Sequence, residues 1–320
     1  MPTRLNYARF KMTLIWIVFF IYFFVYYTHN NFISYSNCLD LSISKIITSS
    51  QSSYALPQRF KTVSDLLDAD LKDGDIVITE GFYSKNDGGG GIYKITSENL
   101  PVDNMFTLET SSGLKASLQP SGNNVNVDQL GAKGDGTSDD SAYLQAAFSS
   151  QYKVSLGESK NYKLVSNGLA IRRDLDVDGH NSHIIVDDSY SPINNDFSRF
   201  IIRGNNKSHS YFRMSNLNID VNITASRYSG SNYLCVMQPT YIDRVILNNV
   251  NISVAESNNC ITNFWLNHGC QNLIISNCVF INNTTSFEGG MLFFDSESDP
   301  SSKYFFAQIG FNGVIFWSSS

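Results

Sequence analysis

Downstream of residue 210 the hydrophobic pattern alternates, and it repeats. Phe212-Arg-Met-Ser-Asn216-Leu-Asn-Ile219, Val245-Ile-Leu-Asn-Asn249-Val-Asn-Ile252 and Leu273-Ile-Ile-Ser-Asn277-Cys-Val-Phe280 align without a gap. With the central Asn as zero, positions −4, −2, +1 and +3 are apolar in all three, and −1 is Ser or Asn. Alternation by two predicts strands with one buried face. The phase slips by one residue at the Asn, so the chain turns a corner there. Asn is suited to such a corner because it tolerates left-handed backbone. Stacked corners would place Asn216, Asn249 and Asn277 in one asparagine ladder. The Asn residues are 33 and 28 apart, within the range of solenoid repeats. The excess over the strands is expected to form loops, where function usually sits. Leu175-Asp-Val-Asp-Gly179 turning into Ile184-Ile-Val186 suggests an earlier coil.

The N-terminus has a different pattern. Residues 1–11 carry Arg4, Arg9 and Lys11 and no acid; residues 12–27 read MTLIWIVFFIYFFVYY. A basic flank before an apolar run predicts a cytoplasmic N-terminus and a membrane signal anchor, near the lower limit of about 17–25 residues for a span. The main domain would then be extracytoplasmic, or secreted if the segment is cleaved. A buried core segment and an over-extended translation start are the alternatives. Residues 28–55 are polar and Ser/Asn-rich, which reads as a linker.

Residues 56–120 predict a small α+β module. Thr62 or Ser64 caps a helical turn with Leu66, Leu67 and Leu71 on its apolar face. Asp75–Thr79 and Ile92–Ile95 read as strands separated by Gly88-Gly-Gly-Gly91. Such a run serves positive φ or close backbone approach. It lacks the Gly-Lys-Ser/Thr and the following helix of a phosphate-binding loop. This stretch resembles the module that precedes the solenoid in phage tailspike-like and bacterial surface polysaccharide-acting proteins. The resemblance implies a positioning role, a glycan partner and a homotrimer.

Residues 121–320 open with Gly131-Ala-Lys-Gly134-Asp135-Gly136-Thr-Ser-Asp139-Asp140-Ser-Ala142, followed by Ala146. This segment resembles the GAxGDGxxDDxxAxxxA signature of the rhamnogalacturonase/epimerase-like pectate lyase superfamily. The resemblance implies an all-β fold, a right-handed parallel β-helix with an N-terminal capping helix. Gly131, Gly134 and Gly136 would allow tight turns; Ser138 or Asp139 would cap the helix, with Asp135, Asp139 and Asp140 structural. It also implies action on polysaccharide or cell-surface glycan, as a glycoside hydrolase or polysaccharide lyase. The competing reading is a non-catalytic glycan-binding or tailspike-like adhesin.

Candidate chemistry is sparse. Hydrolysis usually needs two carboxylates across one glycosidic bond. Glu288-Gly-Gly-Met-Leu-Phe-Phe-Asp295 is the best cluster, so Glu288 and Asp295 are the catalytic candidates. Asp243, Glu256, Glu297 and Asp299 are further acids on the later coils. Trp265, His268 and Tyr233 are candidates for a sugar-binding face. No cofactor and no metal are expected; Ca2+ is a candidate only if the chain is a lyase, where it or another charge-neutralising group would sit near a uronate. Cys38, Cys235, Cys260, Cys270 and Cys278 include no CxxC pair, which gives no zinc or redox signature. Cys278 takes an inward position, and a Cys260–Cys270 bridge would need an oxidising compartment. The net charge of −6 over 320 residues argues against nucleic acid, whose partners carry a basic footprint. The apolar tail Phe305–Trp317 reads as a plug on the last coil or as the mark of a truncated solenoid, because solenoids need a polar terminal cap. A truncated groove would leave activity weak or absent.

Overall fold

The computed structural model describes residues 56–166, 168–190, 200–204, 209–223, 234–255, 261–266, 270, 272–283, 292–294 and 308–318. The predicted membrane segment at 12–27 and the linker at 28–55 lie outside the described residues. No described helix is long and apolar enough to cross a membrane.

The chain first builds a five-stranded sheet. Its strands are β1 (Gln58–Phe60), β2 (Ile76–Thr79), β3 (Ile92–Thr96), β4 (Thr107–Glu109) and β5 (Lys115–Leu118), in the order β1-β2-β3-β5-β4. Only β1 and β2 are parallel. Helix α1 (Val63–Leu67) starts at Thr62, whose hydroxyl accepts from Asp65 N at 3.1 Å while the Asp65 carboxylate accepts from Thr62 N at 3.0 Å. That reciprocal pair satisfies two amides at the helix start.

The remaining strands are parallel. Each coil contributes a long strand bent at a corner. These are β11 (Leu175–Asp187), β13 (His209–Asn222) and β15 (Ile242–Val254), continued by β17 (Asn272–Ser276) with β18 (Val279–Asn282), and by β20 (Gln308–Asn312) with β21 (Ile315–Ser318). The short strands β6 (Asn124–Asn126), β7 (Asp135–Asp139), β8 (Lys153–Ser155) and β9 (Asn161–Lys163) begin the stack. A second parallel sheet joins β10 (Leu169–Ile171), β12 (Phe200–Gly204), β14 (Leu234–Gln238), β16 (Ile261–Leu266) and β19 (Leu292–Phe294). Successive turns of chain stacked in parallel register are a parallel β-helix. Helix α2 (Ser141–Ser149) packs at its start, with Leu144, Ala147 and Phe148 buried and the Gln145 amide bonded to Ala170.

Register explains the core. Phe212, Val245 and Leu273 stack in one inward row, and Met214, Leu247 and Ile275 form a second. Leu217 and Val250 continue past the corner beside Cys278, and Ile219, Ile252 and Phe280 follow. All of these side chains are buried. The corner residues Asn216, Asn249 and Asn277 have φ of 52°, 54° and 53°. Left-handed backbone there moves the inward face by one residue and so produces the phase slip.

The ladder differs from the predicted one. Asn249 Nδ2 donates to Asn216 Oδ1 at 3.0 Å, and Asn216 Nδ2 donates to Asp178 Oδ1 at 3.1 Å. Asn277 Nδ2 instead reaches Asn248 Oδ1, the residue before the corner Asn249 on the preceding coil, at 3.2 Å. An Asn249→Leu substitution would lose the side-chain bond and place a branched residue at left-handed φ. It should cost about 1–2 kcal/mol, the scale of a β-carbon held at left-handed φ, because the amide pair itself is exposed to water, while Asn249→Gly should cost less because Gly accepts the conformation. Urea midpoints of the two variants check this; equal losses would contradict a conformational role for the corner.

Of the two readings of the tail, the plug is not what the strands show. Ile309 pairs in register with Leu273, Phe311 with Ile275, and Phe316 with Phe280. Gly313 takes the corner at φ 61°. Residues 308–318 are therefore another copy of the repeat, not a plug. Gly replaces Asn at the corner because both tolerate left-handed φ.

Candidate functional site

The N-terminal module meets the solenoid at a network of buried polar groups. The Asp128 side chain is 2 % exposed and forms an ion pair with Lys160 at 2.8 Å. Tyr162 Oη donates to Asp128 Oδ1 at 2.6 Å and accepts from Gly157 N at 2.7 Å. Lys160 Nζ also donates to the Asp87 carbonyl at 2.6 Å. Burial pushes the Asp128 carboxyl above its ordinary range, opposed by Lys160 and Tyr162. The Asp87 carboxylate accepts four backbone N–H groups, from Phe82, Tyr83, Ser84 and Gly89, at 2.7–3.0 Å. Burial alone would raise Asp87; those four donors outweigh it and hold the carboxyl below the usual value.

This joint accounts for the glycine run. A Cβ on Gly88, at φ 96°, would lie 2.7 Å from Asp128 Oδ2, and one on Gly90 would lie 2.7 Å from the Thr79 carbonyl. An open cleft here is lined by Tyr83, Asp87, Asp128, Lys133 and Lys160 among others. Its polar groups bind one another, so the joint is structural.

The signature acids are committed to backbone. Asp135 accepts from the amides and hydroxyls of Thr137 and Ser138 at 2.7–2.9 Å. The Ser138 and Thr137 amides, with their hydroxyls, hold its carboxyl far below the usual range. Asp139 binds Ser141 through its amide and hydroxyl. The residue preceding α2 is Asp140, not Ser138 or Asp139, and its side chain does not cap the helix. It accepts instead from Lys133 N at 2.7 Å, Gly134 N at 3.2 Å and Lys163 N at 3.3 Å. Gly131, Gly134 and Gly136 have φ of 107°, 61° and 74°.

Glu288, Asp295, His268 and Tyr233 lie outside the described residues. Trp265 stands on β16, in register with Phe293. The structure instead brings together a different set, on the outward face of the strands that follow the corner. One outward row runs Asn161, His183, Asn218, Asn251, Val279, Ile315. The next runs Lys163, Ile185, Asp220, Ser253, Ile281, Trp317.

These side chains interlock. His183 Nδ1 lies 2.5 Å from Asp220 Oδ2. Asn218 Nδ2 lies 3.4 Å from both His183 Nε2 and the Ser182 carbonyl, and Asn218 Oδ1 accepts from Asn251 Nδ2 at 2.9 Å. The tautomer with its proton on Nδ1 satisfies both contacts of the imidazole. Beyond this cluster Lys163 pairs with Asp187 at 2.9 Å. His183 and Asp220 are 37 residues apart, so no local motif shows them. The signal was in the repeat itself, whose positions +2 and +4 face outward.

A His–Asp pair can serve as a proton acceptor if the free ring nitrogen meets substrate. Here Nε2 faces the Asn218 amide, and no second carboxylate faces Asp220 among the described hydrogen bonds of this cluster. The arrangement presents hydrogen-bonding amides, a hydroxyl and, further along, apolar and aromatic groups.

No family model and no curated protein matches the chain. Solved structures with a similar fold include Pantoea stewartii WceF, described as a glycan biofilm modifying enzyme with a bacteriophage tailspike-like parallel beta-helix fold. It is 11 % identical, with 81 % of this chain and 48 % of that one covered and a TM-score of 0.39. The tailspike gp42 of Acinetobacter phage vb_AbaP_AS12 is 14 % identical over 73 % of this chain and 49 % of its own, with a TM-score of 0.41. The tailspike of Acinetobacter baumannii phage AM24 is 14 % identical over 81 % and 56 %, with a TM-score of 0.35. The chain spans about half the length of these structures.

Proposed function

We propose that this β-helix is a glycan-binding protein that contacts polysaccharide through the outward face carrying His183, Asn218, Asn251, Asp220 and Ser253. The observation behind this reading is the amide row, with Asn251 bonded to Asn218 and Asn218 to His183. An amide offers two donors and a two-lone-pair acceptor. Asn251 uses one donor within the row, which leaves valences for sugar hydroxyls. The row stands on paired strands, so the donors are fixed before a ligand arrives, which lowers the entropy lost on binding. Binding without cleavage is the form of this reading, because glycosidic hydrolysis needs a second carboxylate at fixed separation. The basic and apolar N-terminal segment would hold the protein at a membrane with this face outside the cytoplasm.

The test measures binding of the full chain, purified in mild detergent, to a panel of surface polysaccharides by biolayer interferometry, with reducing ends assayed in parallel. Binding should weaken about tenfold in the Asn218→Ala/Asn251→Ala variant, the loss of about 1.4 kcal/mol, and reducing ends should not accumulate. Binding indifferent to the double variant would move the site elsewhere, and sustained release of reducing ends would make the protein an enzyme.

A further inference from the structure

Along the outward face just described the chemistry changes in one direction. At its start β7 pairs with β9 and places Asp135 and Asp139 beside Asn161 and Lys163. In the middle stand His183, Asn218, Asn251, Asp220 and Ser253. At the far end Val279, Ile281, Ile315 and Trp317 occupy the same two rows. Ile315 is 59 % exposed and Trp317 52 %. Both point away from the core. A further coil stacked on the last one would cover the inward Phe311 and Phe316 but would leave these two side chains outside.

The charges on the face are equally informative. At the described outward positions that follow the corner, and on β7, they are Asp135, Asp139, Asp187, Asp220 and a single ammonium, Lys163, which Asp187 already engages at 2.9 Å; Arg213 and Arg244 stand on the other side of the corner. A polyanionic ligand would meet four carboxylates and no uncommitted cation. Like-charge juxtaposition of that kind selects against such a partner.

We propose, on the reading of this face as a glycan site, that its ligand is an uncharged glycan lying along the solenoid axis. Its hydroxyls meet Asn218, Asn251 and Ser253, and the C–H face of one pyranose ring lies against Trp317. Neighbouring strands are about 4.8 Å apart. The distance from the His183 strand to the Ile315 strand is therefore about 19 Å, the span of a short oligosaccharide. A pyranose has an apolar face and a polar rim. The two ends of the site match them, with a partly exposed indole beside Ile281 and Ile315 and a row of amides on the preceding coils. Indole side chains that bury a flat apolar surface are frequent anchors of binding energy.

Isothermal titration of the full chain in mild detergent, with malto-, cello-, manno- and xylo-oligosaccharides against oligogalacturonate and oligoguluronate, tests the proposal. The acidic sugars are titrated with and without Ca2+. At least one neutral series should bind, and no acidic series should bind more tightly. Trp317→Ala should weaken the neutral ligand about tenfold, and Trp317→Phe should restore most of that loss. Thermal melts of both variants should match the native chain, because the indole faces outward. Tighter binding of an acidic series, or affinity unchanged in Trp317→Ala, would overturn the uncharged, axial assignment while leaving a glycan site in place. Absence of binding to every sugar would instead overturn the glycan reading itself.

Discussion

Replacing Lys160 by Met should destabilise the protein by about 3 kcal/mol at neutral pH, the scale for stranding one partner of a buried ion pair. Asp128 is almost wholly buried, and Lys160 forms its ion pair in the joint. Without the ammonium the carboxylate keeps a single hydrogen bond from Tyr162. The pH dependence has a definite sign. Burial already raises the Asp128 carboxyl in the folded protein. A group with a raised folded pKa favours the fold below its unfolded value and loses that contribution as pH rises through the folded value. Removing Lys160 raises it further. The deficit of Lys160→Met should therefore be smallest in acid and grow as pH climbs out of the ordinary carboxylate range. The Asp128→Asn/Lys160→Met variant should recover part of the loss, since an amide oxygen can still accept from Tyr162. Urea melts from acid to neutral pH check this; a deficit independent of pH would mean that Asp128 and Lys160 are not energetically coupled.

Leu247→Ala should cost a similar amount, about 3 kcal/mol, within the 2–5 kcal/mol typical of large-to-small core changes. Leu247 is fully buried and stacks between Met214 and Ile275 on the adjacent coils. Both neighbours belong to strands fixed by hydrogen bonding above and below, so the row has little freedom to collapse into the cavity. Each coil of a solenoid leans mainly on its neighbours. Loss of amide protection should thus concentrate in Phe212–Phe280 and spare the N-terminal sheet. Hydrogen exchange with the denaturation midpoint measures both. An unchanged midpoint would remove Leu247 from the core.

The inward rows were legible because two simple signals coincide at them. Residues Phe212–Ile219, Val245–Ile252 and Leu273–Phe280 alternate cleanly, and each slips phase at an Asn. The copy at Ile309–Phe316 was not legible. Gly313 stands where Asn was expected, and Ile315 and Trp317 make the outward positions apolar, which hides the alternation. The Asn277 partner was missed for a finer reason. The adjacent coil carries two consecutive Asn residues, Asn248 and Asn249, and sequence does not say which of them the Asn277 amide selects. The cluster of His183, Asn218 and Asp220 is not legible in the sequence, because stacking alone joins residues so far apart. The Asp128–Lys160–Tyr162 network has the same origin. Of the residues proposed for chemistry, Glu288, Asp295, His268 and Tyr233 fall outside the described structure, and Trp265 is placed only by its strand.

The first corner has a consequence for how such a chain can diversify. Between Asp178 and Ser182 the β11 strand carries Gly179, His180 and Asn181, where the next coil has Asn216 alone, yet pairing resumes in register on the far side. His180 and Asn181 both take left-handed backbone, at φ 47° and 61°. Two added residues are absorbed locally, and Ile184 and Val186 still face the core. Chain length at a turn is thereby uncoupled from the order of the strands. Lengthening a flexible connection costs only about 0.6 kcal/mol per doubling. Insertions at the bends can remodel what surrounds the polar face while every interior row remains aligned, so new specificities can arise by loop growth without redesign of the scaffold.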